Sequence, residues 1–244
     1  MTLASRRLLR PSWIISHIFV VALLVSTVNF GFWQLRRLEE RKSNNTQIME
    51  ASGRESVAVN NLYADELDNY QSYAPATAIG TFDENRQVYL INRTRDGVPG
   101  VEVINSFTLE SDPVSYVAVN RGYLPRKIFN EGESEIWKPP SGMFEIEGLI
   151  MVPFSDGKLQ GNEINRIDID LLSDEWGLPL LPIYLQQNQQ TTNNWPVQMQ
   201  SLELTEGSHL SYAVQWFIFT FIGLVGACVG AMTSSFLEIG RAHV

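Results

Sequence analysis

Trp13-Ile14-Ile15-Ser16-His17-Ile18-Phe19-Val20-Val21-Ala22-Leu23-Leu24-Val25-Ser26-Thr27-Val28-Asn29-Phe30-Gly31-Phe32 is an unbroken apolar run without a charge. About 20 helical residues, at roughly 1.5 Å each, cover the hydrocarbon core of a bilayer. A secretory signal peptide would have a shorter apolar core and then a small-residue cleavage site. This run instead passes through Trp33 into Leu35-Arg36-Arg37-Leu38-Glu39-Glu40-Arg41-Lys42, strong helix formers with opposite charges about one turn apart. It reads as an uncleaved anchor whose helix continues past the membrane.

A second uncharged run, Tyr212 to Met232, lies near the other end. Gly223, Gly226 and Gly230 form a small-residue stripe there. Such a stripe lets helix backbones approach closely in lipid, so Gly226-xxx-Gly230 is a candidate seam against the first helix, although glycine is also common in membrane helices without that role. The boundaries expected are a cytoplasmic tail over 1–12, a first span over 13–35, an extracytoplasmic domain over 36–208, a second span over 209–233 and a cytoplasmic tail over 234–244. Arg6, Arg7 and Arg10 favour a cytoplasmic amino terminus, and so short a tail points to a bacterial inner membrane rather than a mitochondrial presequence. Glu238 to Val244 reads like a translated sequencing-adapter fragment, so Arg241 and His243 are left out of the topology.

The formal net charge is -9. Seven basic residues flank the first span, so the stretch from Ser43 to Ser208 is more acidic than that total implies. Such a surface repels nucleic acid and anionic lipid, which excludes nucleic acid as a partner and leaves the bilayer to the two apolar helices. The one cysteine, Cys228, lies in the second apolar run and reads as a packing residue, so no disulfide or thiolate zinc site is available.

Between the spans, alternating or β-branched runs predict strands near Ala74–Phe82, Gln87–Asn92, Val101–Leu109, Ser115–Asn120, Phe144–Val152, Pro182–Gln187 and Val197–Leu204. Asp83-Glu84-Asn85, Asp96-Gly97-Val98-Pro99-Gly100, Ser111-Asp112-Pro113 and Lys138-Pro139-Pro140-Ser141-Gly142 mark the breaks. Asp168–Gly177 has the makings of a short helix. The fold class expected is a membrane protein: two transmembrane helices flanking an antiparallel, β-rich α+β domain, either a compact sheet or a partly closed barrel.

No nucleophile elbow, phosphate loop, dinucleotide fingerprint or metalloprotease helix occurs, which argues against an enzyme. The histidines are His17, His209 and His243. His17 and His209 belong near opposite faces of the membrane and cannot share one metal. In a helix, His209, Tyr212, Ala213 and Trp216 fall along one face. That stripe is readable either as an interfacial belt with a solvated imidazole or as a haem ligand with aromatic neighbours.

Three blocks resemble the Surfeit-locus family of cytochrome c oxidase assembly factors. Phe30-Gly31-Phe32-Trp33-Gln34-Leu35-Arg36-Arg37 is similar to the family's Gly-x-Trp-Gln-x-x-Arg block. Gly97-Val98-Pro99-Gly100, followed by Val119-Asn120-Arg121-Gly122-Tyr123-Leu124-Pro125, is similar to its Gly-x-x-Gly and Val-Asn-Arg-Gly-Trp-x-Pro segments, with Tyr123 in place of tryptophan. His209-Leu210-Ser211-Tyr212-Ala213-Val214-Gln215-Trp216-Phe217 is similar to the start of its second span. The resemblance implies a periplasmic domain on two spans, and maturation of a haem-copper oxidase at the step where haem a reaches subunit I, with haem a synthase as a further partner. It also implies transient haem a binding, with His209 as iron ligand and Tyr212 and Trp216 as an apolar wall. Glu206-Gly207-Ser208 departs from the asparagines the family often has there. Trp33, Gln34 and Arg36 read more simply as interfacial anchors, and Arg121 as half of an ion pair holding a strand turn, than as haem-propionate contacts. The alternative function is a membrane-tethered scaffold that binds oxidase subunits without haem.

Overall fold

The computed structural model describes residues 11–62, 67, 71–188, 195–198 and 204–241. In chain order its elements are α1 (Pro11–Ser52), β1 (Val57–Ala58), β2 (Ala74–Arg95), β3 (Val98–Leu109), β4 (Tyr116–Pro125), α2 (Arg126–Glu131), β5 (Met143–Met151), β6 (Leu159–Gln160), β7 (Glu163–Ile164), α3 (Ile169–Trp176), β8 (Leu180–Gln187) and α4 (His209–Arg241). They form two compact units: Met1–Thr46 with Leu204–Val244, and Gln47–Glu203. Arg6, Arg7, Arg10 and His243, and residues 199–203 of the last expected strand, lie outside the described residues.

In the first unit, α1 and α4 are each long and apolar enough to cross a membrane. α1 runs for 42 residues without a break. The charged helix formers after Trp33 carry it beyond the apolar run, as their propensity predicts.

In the second unit, five strands pair into a closed ring, β2–β3–β4–β8–β5 and back to β2. Three of these pairings besides β2–β3 are instructive. β3–β4 and β2–β5 are antiparallel, whereas β4–β8 is parallel, with Ala118 opposite Tyr184 and Val119 opposite Leu185. A fully antiparallel sheet was expected. Residue alternation reports which face a side chain takes and says nothing of strand direction, so the parallel pair had no signal in the sequence.

β2 holds the ring together. Where two strands were expected, one strand of 22 residues runs through Asp83-Glu84-Asn85. Its first half pairs with β5 from Ala74 to Thr81, and its register to β3 shifts between Phe82 and Gln87. Asp83 accepts from the Asn85 backbone N–H at 2.9 Å and pairs with the Arg86 guanidinium, so the polar triplet forms a bulge that bends the strand without ending it. Asp96 and Gly97, at φ 51° and 77°, then make the two-residue hairpin turn into β3. β4 also runs further than expected, carrying Arg121 to Pro125 within the strand.

All five ring strands contribute to one apolar cluster, including Ala76, Phe107, Val119, Ile146 and Ile183, which fills the ring. A second cluster lies on the opposite face of β3, β4 and β8, where Ile104, Ala118 and Tyr184 meet Leu172 and Trp176 of α3. α3 begins where the Asp168 carboxylate accepts from Leu171 N–H and ends on Gly177 at φ 63°. A third cluster, with Val101, Val103, Leu124 and Trp137, is packed by Ile128 and Phe129 of α2.

Gly122 fixes how the chain at Val197 joins the sheet. Tyr123 and Val197 exchange two backbone hydrogen bonds of 2.8 Å. Gly122 sits at φ +130°, and a Cβ there would run into the Val197 carbonyl. Gly122→Ala is therefore expected to destabilise this unit by about 1–3 kcal/mol. Thermal unfolding of the full chain in detergent measures it, and an unchanged midpoint would contradict the strain assigned to this position.

Candidate functional site

The two apolar helices pack antiparallel along a seam that recurs at alternating steps of three and four residues. On α4 it runs His209, Ala213, Trp216, Thr220, Gly223; on α1 it runs Leu24, Thr27, Gly31, Gln34. This is the spacing by which one face of a helix keeps meeting a partner. Ala213 is 1% exposed and Gly31 is buried. A Cβ on Gly31 would come within 2.6 Å of the Phe217 ring, and one on Gly223 within 2.8 Å of Leu24. The close approach expected of Gly226-xxx-Gly230 is thus made one turn earlier, at Gly223; a Cβ on Gly226 would meet nothing within 4 Å.

Two polar pairs cross this seam. The Thr27 and Thr220 hydroxyls stand 2.8 Å apart, and each also lies near a carbonyl of its own helix, Leu24 O at 2.9 Å and Trp216 O at 3.0 Å. In lipid these hydroxyls have no water to turn to, so the pair fixes the register of the helices. Further along the seam, at the start of α4, His209 Nδ1 lies 2.8 Å from Gln34 Oε1.

Gly207, at φ +70°, borders the imidazole of His209, and a Cβ there would stand 3.4 Å from Cδ2 and 3.7 Å from Nε2, filling the space that glycine leaves beside that nitrogen. Seven residues further along α4, Trp216 packs on Phe30 with centroids 4.9 Å apart and edge-on to Phe219 at 5.9 Å. The chain before His209 is held to α1 by Asn45, which donates to Thr205 O at 3.3 Å, and by Lys42 beside Glu206 at 3.8 Å. Among the described residues no group of three or more His, Cys, Asp and Glu could hold a metal ion. The site brings together one imidazole and the Gln34 amide, with aromatic rings further along the same helix.

The other residues singled out from the sequence are spread more widely. Tyr212, expected on the His209 face, is 48% exposed on the outward side of α4, and Gln215 is also exposed. Trp33 is 45% exposed with the Arg37 guanidinium 5.9 Å from its ring, and Arg36 is exposed on α1. Of the first motif, only Gln34 reaches the histidine. Gly207 and the Thr27–Thr220 pair escaped the sequence reading; the signal for the threonines was the three-four spacing of small and polar residues within otherwise apolar helices.

In the second unit the remaining motif residues gather on β3 and β4. Gly100 lies opposite Pro125, and the Tyr123 ring crosses the space a Gly100 side chain would need, its hydroxyl donating to Val98 O at 2.6 Å. Asn120 donates to Glu102 Oε2 at 2.6 Å and to Gln186 Oε1 at 3.0 Å, and accepts from Gly122 N–H at 3.1 Å. Arg121, 3% exposed, donates to Asn105 Oδ1, Trp137 O and Lys138 O and lies over the Phe82 ring. The carboxylate partner expected for it is replaced by carbonyl oxygens, because the side chain points into the ring, where the 3-10 turn Ser134–Trp137 and the residue after it supply backbone acceptors. Burial pulls its guanidinium down to about 10, with Tyr89 opposing.

Comparison with known proteins follows the same outline. A model of the SURF1 family matches residues 21–221. The chain is 27% identical to Surfeit locus protein 1 of Homo sapiens over 223 residues, which cover 81% of this chain and 72% of that protein. It is 23% identical to a SURF1-like protein of Rickettsia felis over 219 residues, which cover 83% of this chain and 90% of that protein.

Glu102 gives this polar cluster a pH dependence. Burial raises its carboxyl above the usual range, against the opposing pull of Arg93, 3.6 Å away, and of the Asn120 hydrogen bond. A carboxyl whose folded value is raised favours the folded state when protonated. That contribution is complete below the unfolded value near 4.5 and is lost as pH rises through the folded value. Glu102→Gln, which keeps an acceptor for Asn120, is expected to raise the melting temperature at neutral pH, with the gain vanishing under acid conditions. A pH series of thermal melts reads this, and a gain that grows in acid would reverse the sign.

Proposed function

The chain belongs to the SURF1 family, and from that premise we propose that it is a membrane-anchored assembly factor for a haem-copper cytochrome oxidase, aiding delivery of haem a to subunit I. Family membership carries the coarser part, a role in cytochrome oxidase assembly. The observation that supports the finer part is the imidazole of His209, engaged by Gln34 on one edge and bordered by Gly207 on the other, with the Trp216–Phe30 pair further along the same helix.

The role is that of a carrier, without a chemical step. His209 offers one nitrogen, Gly207 leaves room beside it, and Trp216 with Phe30 presents an apolar face to the macrocycle. Haem a supplies an iron that accepts an imidazole lone pair when bound. A single protein ligand suits a carrier, because release then breaks one coordination bond. Haem a synthase and oxidase subunit I are the proposed donor and acceptor. The bacterial inner membrane is the proposed location, with the unit between the spans on its outer side; a SURF1-like protein of a bacterium among the relatives supports this.

Expression of the full chain together with a haem a pathway tests the proposal. Purified protein is expected to carry haem, with an absorption spectrum that His209→Ala alters or abolishes, and oxidase assembly is expected to fall with it. A colourless protein with normal oxidase assembly would refute haem delivery. Crosslinking to oxidase subunits by a fully functional His209→Ala chain would favour a scaffold that holds the subunits without haem.

A further inference from the structure

We infer that Gln34 is a positioning residue that selects the tautomer of His209, holding the proton on Nδ1 so that Nε2 presents its lone pair to a metal-bearing ligand. The assignment builds on the haem-carrier reading for its purpose, but its physical content is a property of the protein alone.

The geometry carries it in three steps. An amide oxygen can only accept a hydrogen bond, so the 2.8 Å contact of Gln34 Oε1 with Nδ1 is a hydrogen bond only in the tautomer that carries the proton on Nδ1. A neutral imidazole carries one ring proton, and Nε2 is then left as an acceptor. The neighbour on the Cδ2–Nε2 side is Gly207, where a Cβ would stand 3.4 Å from Cδ2 and 3.7 Å from Nε2. Were the proton on Nε2, the same ring would turn a donor toward that side and could not ligate iron without losing it. The helices keep the pair in reach: Gly31 meets Phe217 and Thr27 meets Thr220 along the same seam, so Gln34 arrives opposite His209 by register rather than by a flexible loop. A hydrogen-bond partner on the far nitrogen is the general means by which proteins orient a ligating histidine, and its removal commonly costs about 10–100-fold in metal affinity.

Nitrogen-15 NMR of the full chain in nanodiscs, in mildly alkaline buffer and without haem, reads the two ring nitrogens of His209 directly; His209→Ala identifies its signals. The wild-type chain is expected to show a protonated Nδ1 and an unprotonated Nε2. Gln34→Leu, of similar size but without the acceptor, is expected to shift population toward protonated Nε2. Gln34→Glu, which keeps an acceptor oxygen, is expected to retain the wild-type pattern. A predominantly Nε2-protonated ring in the wild-type chain, or an unchanged pattern in Gln34→Leu, overturns the assignment. Titration with iron protoporphyrin separates this from the carrier reading. Binding that Gln34→Leu weakens about 10-fold, and that Gln34→Glu restores, supports both. If no form of the chain binds the porphyrin while Gln34→Leu still changes the tautomer, the carrier reading fails and the role of Gln34 stands.

Discussion

Closing a ring of five strands requires each strand to find a partner on both sides, and that requirement organises the acidic unit. β2 pairs with β5 along one edge from Ala74 to Thr81 and with β3 along the other from Gly80 to Arg95, and the bulge after Phe82 shifts its register to β3. An odd number of strands cannot alternate direction all the way round, so a ring of five must contain a parallel pair; β8 enters between β5 and β4 antiparallel to the first and parallel to the second. The parallel pairing is thus a consequence of closure, reached through the crossover that contains α3. With the backbone donors and acceptors paired around the ring, alternate side chains from all five strands fill its interior, and α3 covers the opposite face.

The motif residues of β3 and β4 serve this closure. Asn120 ties β4 to its two neighbours through Glu102 and Gln186, Gly122 admits the chain at Val197, and Arg121 gathers the carbonyls of Trp137 and Lys138 from inside the ring. A buried guanidinium held by neutral acceptors is an expensive device, and its net value lies in the backbone oxygens it satisfies. These residues explain a stable platform more readily than a binding site.

The helix pair obeys a different constraint. Lipid supplies neither hydrogen-bond partners nor a hydrophobic drive between apolar helices, so the seam is written in small residues and paired polar ones. Gly31, Ala213 and Gly223 permit contact, Thr27 and Thr220 fix the register, and that register brings Gln34 to His209. The two nitrogens of His209 have different surroundings: Nδ1 meets Gln34 within the seam, and Nε2 lies beside Gly207.

The sequence by itself determined the two apolar helices, the extension of the first beyond its apolar run, the β-rich character of the acidic unit and most strand positions, because length, charge and alternation are local properties of the chain. It also drew attention to Gln34 and His209, but as separate motifs. That they touch, 175 positions apart, was decided by the packing of α1 on α4, and the parallel β4–β8 pair by closure of the ring. The same is true of the acceptors of Arg121, which belong to a turn the strand meets only when folded. In each case the deciding fact is which backbone lies alongside which, and periodicity carries faces, not partners.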